Sequence, residues 1–131
     1  VNPPDYETAT QYAVEVTASD GTNTSTQAIT VNLTDVSDNA PVIVTTSLSV
    51  AEGSTVVGAV VANDADTVGG PVTYSITGGT DQALFTINAT TGVLSLVAPQ
   101  DYEAGATSFE VEVTASDGVN SSAAQTITVN L

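Results

Sequence analysis

The side chains able to do chemistry in this sequence are nearly all carboxylates. Fifteen Asp and Glu face no Lys, Arg or His, and the formal net charge is −15. With no Cys either, histidine and cysteine nucleophiles, lysine Schiff bases and His/Cys zinc sites are excluded. The basic groups that neutralise nucleic-acid phosphates or hold a protein to anionic lipid are missing too, and the longest apolar run is a few residues, so neither nucleic acid nor membrane insertion is expected. Carboxylates, amides, hydroxyls and backbone carbonyls remain, and these are hard oxygen donors suited to Ca²⁺ or Mg²⁺.

The acids recur at fixed spacings. Asp5/Glu7 and Asp101/Glu103 are D-x-E pairs, and Asp20 and Asp117 each sit in Ala-Ser-Asp-Gly. Asp64/Asp66 form a D-x-D, Asp35 and Asp38 fall in a polar stretch ending at Pro41, and Glu52 follows an apolar run. Only Glu15, Asp81, Glu110 and Glu112 lie outside these groups. Two carboxylates about 4 Å apart repel by about 4 kcal/mol at an effective dielectric near 20. With no basic side chain to separate them, a cluster of such acids calls for a bound cation. No stretch carries the alternating oxygens and twelfth-position Glu of an EF-hand loop.

The elements that would position these acids are strands. The chain has 22 Thr and 20 Val, a β-branched bias that favours strands, and helix signals are nearly absent. An internal repeat organises it. Asp5-Tyr6-Glu7 returns as Asp101-Tyr102-Glu103, VEVTASDG at 14–21 returns at 111–118, and ITVNL at 29–33 returns at 127–131. A period of about 97 residues is a whole small domain rather than a solenoid turn. The expected organisation is therefore 1–33 as the C-terminal part of one repeat, 34–41 as a linker, and 42–131 as a complete domain, the whole being a piece of a longer protein.

Alternation and turn signals place strands near 43–51, 56–62, 72–78, 84–88, 92–97, 109–116 and 125–131. Seven short strands in that span predict an all-β, Greek-key β-sandwich, with an up-and-down barrel as the alternative. Periodicity puts Tyr12, Phe85 and Phe109 in apolar faces. In 1–33, however, the face of Tyr12, Val14, Val16, Ile29, Val31 and Leu33 has no sheet to cover it, and a lone hairpin is marginal in water. Strand ends of a sandwich gather at its poles, so Asp5, Glu7, Asp35, Asp38, Asp64, Asp66 and Asp117 are expected to collect around the linker.

These motifs together resemble the cadherin repeat family. Asp35-Val36-Ser37-Asp38-Asn39-Ala40-Pro41 is similar to its D-x-N-D-N-A-P linker. Asp64-Ala65-Asp66, Asp101-Tyr102-Glu103, Ala115-Ser116-Asp117 and Glu52 resemble its other calcium motifs, and Phe85-Thr86-Ile87 with Thr91-Gly92-Val93-Leu94 resembles its core signature. The Thr/Ala richness and lack of basic residues look like bacterial or archaeal cadherin-like tandem domains. The resemblance implies three Ca²⁺ per joint. Asp5, Glu7 and Asp38 would hold two of them, the Val36 carbonyl and Asp66 would help with the middle one, and Asp35 is a further ligating position. The third would be held by Ser37, the Asn39 carbonyl, Asp64, Asp66 and Asp117. Ser37 stands where the family has Asn, a shorter hydroxyl that leaves room for a water. Glu52, Asp101 and Glu103 form a second half-site.

The function so implied is an extracellular, cell-surface structural and adhesive module of an adhesin or filament, stiffened by Ca²⁺. Its partners would be neighbouring repeats, with homophilic or head-to-tail self-association through the uncovered hairpin. A carbohydrate-binding β-sandwich module is the alternative, opposed by the absence of Trp and the small number of Tyr and Phe available to stack on a glycan. A glycosidase would need one carboxyl of raised pKa in a cleft, not acids grouped at strand ends, so no enzyme is expected. Asn23, Asn32, Asn88 and Asn120 begin N-x-[ST] sequons, too common in so Ser/Thr-rich a chain to indicate glycosylation.

Overall fold

The computed structural model describes all 131 residues and divides them into two compact units, Val1–Val36 and Ser37–Leu131. There is no α-helix; two single-turn 3₁₀ segments, Gln82–Leu84 and Tyr102–Ala104, are the only helical pieces.

The first unit is a hairpin of β1 (Gln11–Ser19) and β2 (Thr24–Asn32), antiparallel from Gln11↔Asn32 to Ser19↔Thr24. Its turn is built by Asp20, whose carboxylate accepts the N–H groups of Thr22 and Asn23 at 2.9 and 2.7 Å. Tyr12, Val14 and Val16 share one face with Ile29 and Val31, and all five remain 43–48% exposed. The burial that periodicity suggested for Tyr12 is not found: alternation aims the ring at one face, but nothing in this unit covers that face.

The second unit holds β3 (Val42–Ile43), β4 (Ser47–Ser49), β5 (Val56–Ala59), β6 (Ala62–Asn63), β7 (Thr73–Gly78), β8 (Phe85–Ile87), β9 (Val93–Leu96), β10 (Ser108–Ser116) and β11 (Gln125–Asn130). The strands form a four-stranded sheet β4-β11-β10-β7, a three-stranded sheet β5-β9-β8 and the short pair β3-β6. All pairs are antiparallel except β4 with β11, which is parallel. The chain crosses between layers from β7 to β8 and from β9 to β10, so the fold is an all-β sandwich, as expected. Seven sequence-read strands become nine because two of them break. At Thr45–Thr46 the chain leaves its β6 partner for β11, the Thr46 carbonyl accepting from Thr128 at 3.0 Å. Val60 still bonds the Gly92 carbonyl beside β9 at 2.9 Å, but Val61 changes partner, donating its N–H to the Thr45 hydroxyl and accepting the Val44 N–H, both at 2.9 Å, which separates β5 from β6.

The core lies between the sheets. Phe109, Val111, Val113 and Ala115 of β10 and Ile127 and Val129 of β11 are buried on one side, with Phe85, Leu94 and Leu96 on the other. Phe85 and Phe109 meet edge to face at 6.4 Å between centroids. Each fully buried side chain of this size contributes roughly 1.5–3 kcal/mol, a source of stability that the first hairpin lacks. The β8–β9 turn is held by Asn88, whose carboxamide oxygen accepts the N–H groups of Thr90 and Thr91, and by Gly92 at φ +69°, where a side chain would be strained.

One acid outside the grouped set has a structural role that the sequence did not show. Asp81 accepts the Glu110 N–H at 2.8 Å and donates its own N–H to the Glu110 carbonyl at 3.0 Å, fastening the start of β10.

Candidate metal centre

Three loops of the second unit bring its acids together: the segment Ser37–Pro41, the turn after β6 and the turn after β10. Asp117 directly follows β10 and is 2% exposed. One of its carboxylate oxygens accepts the Asn120 and Val119 N–H groups at 2.6 and 2.7 Å, and the other accepts the Ser37 hydroxyl at 2.9 Å. The backbone N–H bonds, Asn120 first and then Val119, outweigh the penalty of burial and hold its pKa down to about 2. Asp117 is therefore a buried carboxylate that stays ionised at neutral pH.

Asp64 and Asp66 are half-buried beside it, and Asp66 donates its N–H to the Asp64 carboxylate at 3.2 Å. Carboxylate oxygens of Asp64, Asp66 and Asp117 lie within 4.8 Å of one another. Gly70 makes this approach possible. Its N–H bonds the Asp117 carbonyl at 3.2 Å, and a Cβ there would sit 2.6 Å from that oxygen.

The segment Ser37–Pro41 is tied to the same acids. Asn39 donates its backbone N–H to one oxygen of Asp66 at 3.0 Å and its carboxamide to the other at 2.6 Å. That carboxamide also reaches Asp38, which is exposed, at 3.0 Å. Asn120 donates its carboxamide to the Ser37 carbonyl at 3.2 Å. The sequence reading assigned Asn39 through its carbonyl alone and missed Asn120 and Gly70. The signal for Asn120 was present, since both copies of Ala-Ser-Asp-Gly are followed by Asn two residues later, at Asn23 and Asn120.

Elsewhere in the second unit, Glu52, Asp101 and Glu103 are exposed and bring carboxylate oxygens within 4.8 Å of one another. Asp101 accepts the Glu103 N–H at 3.0 Å, and Gly53 bonds the Gln100 carbonyl at 3.1 Å, joining the two loops.

In the first unit Asp5 repeats that turn, accepting the Glu7 N–H at 3.0 Å and the Thr8 hydroxyl at 2.8 Å. The Thr8 bond, followed by one with Glu7, pulls the Asp5 carboxyl below its ordinary value. Glu7 is pushed the other way. A bond from its own backbone N–H lowers it, but desolvation and the neighbouring Asp5 and Asp35 carboxyls prevail. Asp5, Glu7 and Asp35 are thus electrostatic neighbours within the first unit. Val36, at its end, exposes its side chain.

The Asp64/Asp66/Asp117 group is all oxygen, at least partly buried, and has no basic side chain anywhere in the chain to neutralise it. Such a donor set fits a hard divalent cation of flexible coordination, Ca²⁺ better than Mg²⁺.

Comparison with known proteins gives a consistent result. Residues 46–131 match the model of the cadherin domain. The chain is 37% identical over 122 residues to the human Cadherin EGF LAG seven-pass G-type receptor 2, a match covering 88% of this chain and 4% of that protein. Among solved structures, Protocadherin Gamma B2 extracellular cadherin domains 3–6 align with a TM-score of 0.79 and 28% identity over 97% of this chain and 34% of the other. The protocadherin gammaB7 EC3-6 cis-dimer aligns with a TM-score of 0.76 and 33% identity, over 96% and 34% respectively. The chain thus spans a small part of each of these proteins.

Proposed function

This chain belongs to the cadherin domain family, and from that premise we propose that it is an extracellular adhesive and structural module stiffened by Ca²⁺ at its acidic loops. Cadherin domains are adhesion modules of cell-surface proteins rather than enzymes, and the family in general binds Ca²⁺. The observation that carries the reading to this chain is the convergence of Asp64, Asp66 and Asp117 in a molecule without a single basic side chain.

In this reading Asp64, Asp66 and Asp117, with Ser37 and the Asn39 carbonyl, hold one ion. Asp5, Glu7, Asp35, Asp38 and the Val36 carbonyl serve as the further donors that the family pattern assigns. Glu52, Asp101 and Glu103 form the second half-site. When bound, Ca²⁺ supplies the positive charge that the carboxylates lack and draws their oxygens together. The chain's own contribution is to present Asp117 already ionised and to bring Ser37–Pro41 onto the same acids, so that fixing the acids also fixes the segment leading out of the domain. The domain assignment that accompanies this is 1–33 as two strands of one repeat, 34–41 as linker and 42–131 as a complete repeat; the internal recurrence supports it. Neighbouring repeats of the same protein are the first partners. Homophilic association is a further one, suggested by the cis-dimer of the gammaB7 relative.

The test is calorimetric titration with Ca²⁺ alongside thermal melting, on the wild type and Asp66→Ala. The expected dissociation constant is about 10⁻⁴–10⁻³ M. At ten times that concentration, stability should rise by about 1.4 kcal/mol for one site, with the gain lost in the variant. A melting temperature identical in EGTA and in Ca²⁺, with no heat of binding, overturns the reading.

A further inference from the structure

The hydrogen bonds around Asp66 and Asp117 do something that metal ligation does not require. Both oxygens of Asp66 are occupied by a single residue, Asn39, through its backbone N–H at 3.0 Å and its carboxamide at 2.6 Å. The same carboxamide also bonds Asp38 at 3.0 Å, so one neutral group bridges two carboxylates. The oxygen of Asp117 not used by its own turn accepts the Ser37 hydroxyl at 2.9 Å. Donors from one short segment therefore satisfy Asp66 and the free oxygen of Asp117, and the Asn120 carboxamide secures that segment at the Ser37 carbonyl while also bonding to the Asp117 carboxyl.

We infer that the Asn39 side chain is a latch that competes with the metal, standing in for the cation by bridging Asp38 and Asp66 and yielding when Ca²⁺ takes the Asp66 oxygen. The inference rests on the calcium reading above and deepens it by naming a residue that sets the affinity of that site. A carboxamide delivers only partial positive charge, so it holds the segment in place without neutralising the acids. The ion pays for its entry by breaking this bond. Asn39 thereby weakens calcium affinity while keeping Ser37–Pro41 ordered in calcium's absence. The backbone carbonyl of Asn39 is separate from this role and survives truncation of the side chain.

The experiment titrates the full chain with CaCl₂ alone and compares wild type, Asn39→Ala and Asn120→Ala, each also melted in EGTA. Asn39→Ala should bind Ca²⁺ roughly 3–10-fold more tightly, the competition of one hydrogen bond to a charged group having been removed, and should melt lower in EGTA. Asn120→Ala also loosens the segment and removes a minor bond to Asp117, but it leaves Asn39 on Asp66 and should therefore tighten binding less than Asn39→Ala does. A residue needed only for structure would give weaker binding together with the lower melting point, so equal or weaker binding by Asn39→Ala overturns the latch. A second reading uses the wild type itself: the Asn39 side-chain amide resonances should shift as Ca²⁺ is added, and resonances that stay fixed through saturation also overturn it. Absence of any Ca²⁺ binding by the wild type is a different result, which sinks the calcium reading instead.

Discussion

Two hairpins of nearly the same sequence meet different fates in this molecule. β1–β2 and β10–β11 share VEVTASDG and ITVNL, and both pair antiparallel with the same residues across from one another, Val14↔Ile29 in one and Val111↔Ile127 in the other. Yet Val14 and Ile29 are 48% and 43% exposed, whereas Val111 and Ile127 are fully buried. Local sequence thus sets register and turn, and burial is decided by strands contributed from elsewhere, here β5, β8 and β9. The turns diverge in the same way. Asp20 and Asp117 make equivalent bonds to the N–H groups two and three residues on. Only Asp117 is enclosed, by Ser37 and Gly70.

The largest effect should come from placing a charge at matched core-facing positions. Val113→Asp inserts a carboxylate into a fully buried site with no cation to meet it and should cost more than about 3 kcal/mol. Val16→Asp, its counterpart in the first hairpin, should change urea stability by no more than about 0.5 kcal/mol. Equal losses would break the contrast between the hairpins.

Acid should separate the two turns next. The folded-state pKa of Asp117, about 2, lies below its ordinary 3.8, so the folded state resists protonation more than the unfolded one. The stability derived from its bonds is complete above the ordinary value and is lost as pH falls from there toward 2. In EGTA, the melting temperature of Asp117→Asn should therefore fall less steeply than that of the wild type between about pH 5 and pH 2. Asp20 is also lowered, by Asn23 first and then Thr22, but its exposure predicts a smaller change for Asp20→Asn. The smallest effect belongs to Asp81→Ala, which unfastens β10 at a point with no equivalent in β1. Loss of its bond to Glu110 should cost about 1 kcal/mol in a urea melt, with calcium response unchanged.

Much of this was legible in the residues. Alternation along 109–116 located the principal core strand, and the Asp-Gly turns located its end. The D-x-D at Asp64/Asp66 and the Asp117 turn were foreseen as neighbours because strand ends of a sandwich must meet at its poles, whereas the grouping of Glu52, Asp101 and Glu103 came from the cadherin resemblance. Less legible were the places where strands change partners. Thr45–Thr46 and Val60–Val61 are β-branched and carry no Gly or Pro, so each break looks like uninterrupted strand. The donors Asn39 and Asn120 were obscured for a related reason: amides in turns bond to whatever the tertiary fold brings near, and spacing along the chain does not say what that will be.

The parallel pairing of β4 with β11 has a mechanical consequence. These are near the beginning and the end of the second unit, joined by the bonds from Thr128 to Thr46 at 3.0 Å and from Val50 to Asn130 at 2.9 Å. Tension applied to the two ends drags the strands lengthwise past each other, so these bonds share the force and must rupture together. An antiparallel pair pulled from its open end would peel one bond at a time at far lower force. The domain is thus wired to withstand traction along the direction in which its chain enters and leaves.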